Sequence, residues 1–237
     1  PNVTGSFQNV LALLRDANIQ KINGNYKALY ELTEEEMSNL ITAIMLRSSE
    51  KKDIKDLIGN LYLVKFHNKL EDARELSALI NACSRMDHPE VSLGFCLGNK
   101  AFKSMAEKIY MEYRQHIISA LKYVSEAEKI IGKNYAIINA RDRIKDTIIG
   151  TIASIVSRSP VYSEGTVIIA LAYNEDKIKV SARLSGSNGQ NVREILARAV
   201  VQIGGEVGGH PNAAGCLILK EKEETFLAEL KKILDIE

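Results

Sequence analysis

The chain has 237 residues, 46% of them hydrophobic, three cysteines, no tryptophan and a net charge of +1, enough for one large globular domain or two small ones. No apolar run reaches the ~18 residues of a membrane span, the first residues lack a secretory pattern, and the cysteines have no C-x-x-C spacing, so a cytoplasmic protein with buried free thiols is expected. The near-neutral total does not mark a nucleic-acid binder, but the charges are uneven: residues 31–98 hold 8 Lys+Arg against 12 Asp+Glu, and residues 99–160 hold 11 against 6.

In chain order, residues 6–17 form an amphipathic helix pattern, and Asn23-Gly24-Asn25 is a turn signal. Thr33-Glu34-Glu35-Glu36 has the capping-box form and predicts a helix to about Arg47, followed by a charged loop at 48–55. Leu61-Tyr62-Leu63-Val64 fits a strand, and a helical period returns over 71–86. A short helix follows Pro89, and residues 100–131 predict a helix of roughly 45 Å with Gly132 as its stop. The remainder alternates: strand 135–138, helix 147–157, a hairpin of strands 166–173 and 177–184, helix 192–203, strand 216–219 and helix 223–234. The fold class is therefore α/β (α+β), with a mainly helical N-terminal half, a long connecting helix and a mixed sheet flanked by helices. The expected domains are 1–98, 99–132 and 133–237.

The most unusual stretch runs from Gly204 to Cys216 and contains five glycines, Ala213, Ala214 and His210. Glycine tolerates positive φ and close approach, and successive exposed amides in a loop can cradle an anion. A C-cap glycine pair followed by a flexible turn fits the spacing as well. Arg183 ends the strand that precedes this loop, and a crossover helix would bring Arg183 and Gly208-Gly209-His210 to one end of a sheet. Arg74, Asn81 and Arg85 fall on related helical positions that could hold a phosphate, or could simply serve structure.

Gly208-Gly209-His210-Pro211-Asn212-Ala213-Ala214-Gly215 resembles the GGHxxAAG motif of the DHHA1 domain, found at the C-terminus of DHH phosphoesterases. Val180-Ser181-Ala182-Arg183 is similar to the S-x-R element of that domain. Asp72-Ala73-Arg74-Glu75 and Asn81-Ala82-Cys83-Ser84-Arg85 resemble the NAxxR region of RecJ-like proteins. Thr147-Ile148-Ile149-Gly150-Thr151-Ile152-Ala153 resembles the archaeal RecJ-like proteins that associate with GINS.

The resemblance implies a nucleic-acid site drawn from Arg183, Gly208, Gly209, His210, Asn212, Arg85 and Arg74, with single-stranded DNA, the GINS complex and, more widely, the MCM helicase as partners. Catalytically complete relatives use Mn or Mg held by aspartates and an Asp-His-His or Asp-His-Asp element. This chain has neither, and its one Asp-His pair, Asp87-His88, precedes Pro89 and fits a helix terminus. No catalytic residue, metal ligand or cofactor is assigned. The expectation is a non-catalytic RecJ-like replication protein, and a coherent first helix favours a self-sufficient chain. The alternatives are part of a metal-dependent single-strand 5'-3' exonuclease whose catalytic aspartates lie elsewhere, and a scaffold that keeps the glycines for packing.

Overall fold

The computed structural model describes residues 6–47, 59–66 and 68–236, which divide between two units, Pro1–Arg74 and Glu75–Glu237. In the first unit, α1 (Phe7–Asp16) starts at Ser6, whose hydroxyl accepts from the Asn9 amide. The turn at Asn23-Gly24 joins two short strands, β1 (Lys21–Ile22) and β2 (Asn25–Tyr26). The capping box forms as expected. Thr33 Oγ1 accepts from the Glu36 amide at 3.2 Å, Glu36 Oε2 accepts from the Thr33 amide at 2.8 Å, and α2 (Glu34–Arg47) follows. Leu13, Ala17, Ile19, Leu40 and Ala43 make a small core between α1 and α2. A second hairpin pairs β3 (Leu63–Phe66) with β4 (Lys69–Asp72). The loop expected at 48–55 lies outside the described residues.

α3 (Ala73–Arg85) leads into the second unit, where α4 (Pro89–Cys96) and α5 (Lys100–Glu126) follow. Cys83 is buried as expected, whereas Cys96, the last residue of α4, is exposed. Asp87 adopts φ 65° and Pro89 occupies the first turn of α4, so Asp87-His88 is indeed a helix-terminus feature. The 27 residues of α5 rise about 40 Å, stopping short of the expected 131. Ala127 turns extended, and Ile130–Ile131 becomes a two-residue edge strand, β5, which pairs with β6 (Tyr135–Asn139) and packs Ile130 on the core. Gly132 sits inside the β5–β6 turn rather than capping a helix. A Cβ there would lie 2.1 Å from the Tyr135 ring.

The sheet order is β5-β6-β7-β8-β10-β9, adding β7 (Val167–Asn174), β8 (Lys177–Leu184), β9 (Glu206–His210) and β10 (Ala213–Leu219). Only β6 and β7 run parallel, joined through α6 (Asp146–Ser157). The near-continuous apolar run of β7 reflects burial on both faces. Ile168, Ala170 and Ala172 face α6 and α5, while Val167, Ile169 and Leu171 face α7 (Val192–Val200) and α8 (Glu223–Ile236). β8 instead alternates. Ile178, Val180, Ala182 and Leu184 enter the α7–α8 core, and Lys177, Lys179, Ser181 and Arg183 lie on the α6 face. The cover of α6 therefore ends at β8, and the outer half of that face is open.

Candidate nucleic-acid interface

The glycine motif is not a loop. It is a hairpin whose strands β9 and β10 turn at Pro211-Asn212, and β10 is the strand inserted against β8. Its small residues make that insertion possible. A Cβ at Gly215 would stand 2.8 Å from the Val180 carbonyl oxygen, and Gly209, at φ 123°, would set one 2.4 Å from the Ala213 carbonyl oxygen. The turn is tied down by the Pro211 carbonyl, which accepts from Val192, and the Asn212 carbonyl, which accepts from Leu184. The amides of the motif therefore serve mainly the sheet, and the anion cradle expected of a loop is replaced by a strand surface.

Register aligns the polar groups in rows across β8, β10 and β9. One row is Arg183, Ala213, His210; the next is Ser181, Gly215, Gly208; the third is Lys179, Leu217, Glu206; and Lys177 faces Leu219. Adjacent strands stand about 4.8 Å apart, so His210 lies roughly 10 Å across the sheet from Arg183. Over these rows runs a groove of about 970 Å³ lined by Lys177, Lys179, Ser181, Arg183, Gly208 and Gly215 among others. Gly208 has open space where a side chain would be. The missing Cβ atoms make the floor.

Arg183 stands at the boundary between the covered and open halves. Its Nε donates to Ser154 Oγ at 2.8 Å, and that hydroxyl in turn donates to the Gly150 carbonyl. Nη1 donates to the carbonyls of Ala182 (2.8 Å) and Ala214 (3.2 Å), and Nη2 makes only a 3.4 Å contact with the Gly150 carbonyl. One of five N–H donors is thus unused and another weakly used. A Cβ at Gly150 would lie 3.3 Å from Ser181 Oγ and 3.4 Å from Arg183 Nη2, so the guanidinium packs against this turn of α6 at ordinary contact distance. Burial, followed by the nearby charge of Arg85, pulls the Arg183 guanidinium below its ordinary value.

Arg85, half-buried at the end of α3, spends one donor on the Thr147 carbonyl at 3.0 Å. Among the described residues neither arginine has a carboxylate partner. Thr147 Oγ1, one helical turn before Gly150, is buried without a hydrogen-bond partner.

The structure thus brings Arg183, Gly208, His210 and Arg85 toward one side of the sheet, whereas Gly209, paired with the core residue Ala214, falls on the other face, and Asn212 is exposed in the adjoining turn. Arg74 belongs to the other unit, where its guanidinium stands 3.6 Å from Asp72. Residue reading missed Lys177, Lys179, Gly150 and Ser154. The polar alternation Lys-Ile-Lys-Val-Ser-Ala-Arg-Leu of β8 held the signal for the lysines. Among the described residues no three His, Cys, Asp or Glu converge on a point that could hold a metal ion. No described helix is long and apolar enough to cross a membrane.

Residues 132–235 match the DHHA1 domain family. An uncharacterized protein of Methanocaldococcus jannaschii is 29% identical over 208 residues, covering 86% of this chain and 44% of that protein. RecJ of Thermus thermophilus, solved with Mg2+, superposes with a TM-score of 0.53 at 18% identity over 66% of this chain and 24% of its own. CDC45 of Entamoeba histolytica also gives 0.53, at 11% identity, over 95% of this chain and 50% of its own. The chain is thus similar to DHHA1 domains over residues 132–235 and to RecJ in fold, and it spans less than half the length of the curated relative it matches.

Proposed function

We propose that this chain binds single-stranded DNA through the groove over β8 and β10, as a non-catalytic RecJ-like replication factor. One observation carries the reading: Arg85 and Arg183 stand near each other beside a glycine-floored groove, without a carboxylate partner among the described residues. Partly desolvating two like charges side by side is unfavourable, and a docked anion relieves it. A phosphodiester suits the spare guanidinium donors, and His210 stands exposed at the far end of the same row. Phosphate contacts of this kind give affinity without sequence preference. Resemblance to the archaeal RecJ-like proteins supports GINS as the direct partner and the MCM helicase as the wider assembly, and the CDC45-like fold is in keeping with a replication role.

The test is fluorescence anisotropy with labelled oligothymidylate between about 50 and 200 mM salt, where phosphate-driven binding weakens steeply. Arg183→Ala is expected to lower affinity at least tenfold, roughly the 1.4 kcal/mol or more of a charge-assisted contact. Unchanged affinity in that variant, or no binding at the lower salt, refutes the DNA-binding reading. Co-purification with GINS tests the partner separately.

A second reading follows from the RecJ-like fold combined with the lack of a convergent metal-ligand set among the described residues. In it the same groove serves a metal-dependent 5'-3' exonuclease whose metal ligands lie outside these 237 residues. Mn2+-dependent cleavage by a longer chain, absent from this one, would favour it.

A further inference from the structure

The groove is longer than one phosphate needs. Arg183, Ser181, Lys179 and Lys177 occupy alternate positions of β8 and point to the same face, one every ~6.7 Å over about 20 Å. That repeat is close to the interphosphate step of an extended single strand. Neither Lys177 nor Lys179 has a carboxylate partner among the described residues. Beside them, Leu217 and Leu219 leave 45% and 42% of their surface exposed on the groove face of β10, an apolar strip parallel to the cationic one. Glu206 is the acidic side chain of the lining. It lies two strands from Lys179, with Leu217 between them. Its charge repels phosphates from the β9 side and leaves β8 as their path.

We propose that the groove holds an extended single strand of three to four nucleotides running along β8, with Lys179 and Lys177 as additional phosphate contacts and Leu217 and Leu219 against sugars and bases. The inference rests on the groove being a nucleic-acid site and adds the length and direction of what it takes. Arg183 anchors one end, where Arg85 also stands. The lysines, on flexible stems and without the fixed fork of arginine, follow the strand as point charges. The row of Ser181, Gly215 and Gly208 between them is where the backbone comes closest to the ligand.

The test compares 5'-phosphorylated oligothymidylates of two, three, four and six nucleotides, using the full chain and a Lys177→Ala/Lys179→Ala double variant. Affinity of the parent should rise from the dimer to the tetramer and then level. In the double variant the tetramer and hexamer should bind at least tenfold more weakly while the dimer changes little. The salt slope should fall by roughly 1.4, about 0.7 for each single-strand phosphate that the variant no longer neutralises. A Lys177→Arg/Lys179→Arg variant should restore both. Equal affinity for dimer and hexamer, or an unchanged salt slope in the alanine variant, overturns the proposal while leaving Arg183-dependent binding intact. No Arg183-dependent binding at any length sinks the underlying reading as well.

Discussion

Two glycines of the same row separate packing from recognition. Gly215 sits in the inner strand, where an added methyl would meet the Val180 carbonyl at 2.8 Å, a backbone atom that moves only with its strand. Gly208 sits opposite it in the edge strand, with nothing within 4 Å. Gly215→Ala should therefore cost about 1–3 kcal/mol in a urea titration, as overpacking does. Gly208→Val should keep the parent's urea midpoint, because valine suits a strand, yet weaken oligonucleotide binding by filling the floor. If Gly208→Val binds as the parent does, the ligand does not lie on this floor. Below it, burial pushes the Cys216 thiol up to about 12, so it stays protonated across ordinary pH. That environment is the apolar core expected from its small-residue setting.

Elements with their own periodicity were legible from residue order, and those made by partners were not. The hairpin of β7 and β8, the helix α6 and the capping box of α2 all declare themselves through alternation, a 3.6-residue repeat or cap chemistry. β9 has no such signature, because Glu206-Val207-Gly208-Gly209-His210 is a poor strand former on propensity and is held extended by β10. β5 likewise exists only because Ile130 and Ile131 find β6. For the site, Arg183 and the glycines were visible as a motif, whereas the lysines needed the register to place them beside it.

The capping box makes a prediction at this scale. Chiefly its hydrogen bond to Lys27, at 2.8 Å, holds the Glu36 carboxyl below the usual carboxylate range. A folded pKa below the unfolded one stabilises at neutral pH, and that contribution disappears as pH falls through the folded value. Glu36→Gln should lower the urea midpoint at pH 7, and the gap from the parent should close toward pH 3. A gap that stays constant with pH would show that the ion pair is not its source. Thr33→Ala removes the other half of the box and should cost about 1 kcal/mol at either pH.

Across the whole chain, the second unit carries the candidate site, and its sheet depends on α5. Ala120 and Val124 are buried against α6 and β6, and Tyr113, Ile117 and Leu121 pack around them. Tyr113 also donates to Thr151 Oγ1 at 3.2 Å, fixing the helix that receives Arg183. We propose residues 133–237 as the DHHA1 domain proper, but a fragment cut there loses this cover. It should unfold at a lower urea concentration than one starting at Lys100, since each apolar side chain uncovered forfeits about 1–2 kcal/mol. Equal midpoints would make α5 a connector rather than part of the core.

The open outer edge of β9 carries a cost and its own remedy. An unpaired strand of alternating apolar residues would template pairing with other copies of the chain and aggregate. This one is five residues long, starts with a charge at Glu206, bends where Gly209 takes φ 123° and has no side chain at Gly208 to zip against a neighbour. Gly208, which leaves room on the floor, therefore also helps to keep this sheet edge from pairing with other copies. At Gly208 the demands of an uncrowded floor and of a non-adhesive edge coincide.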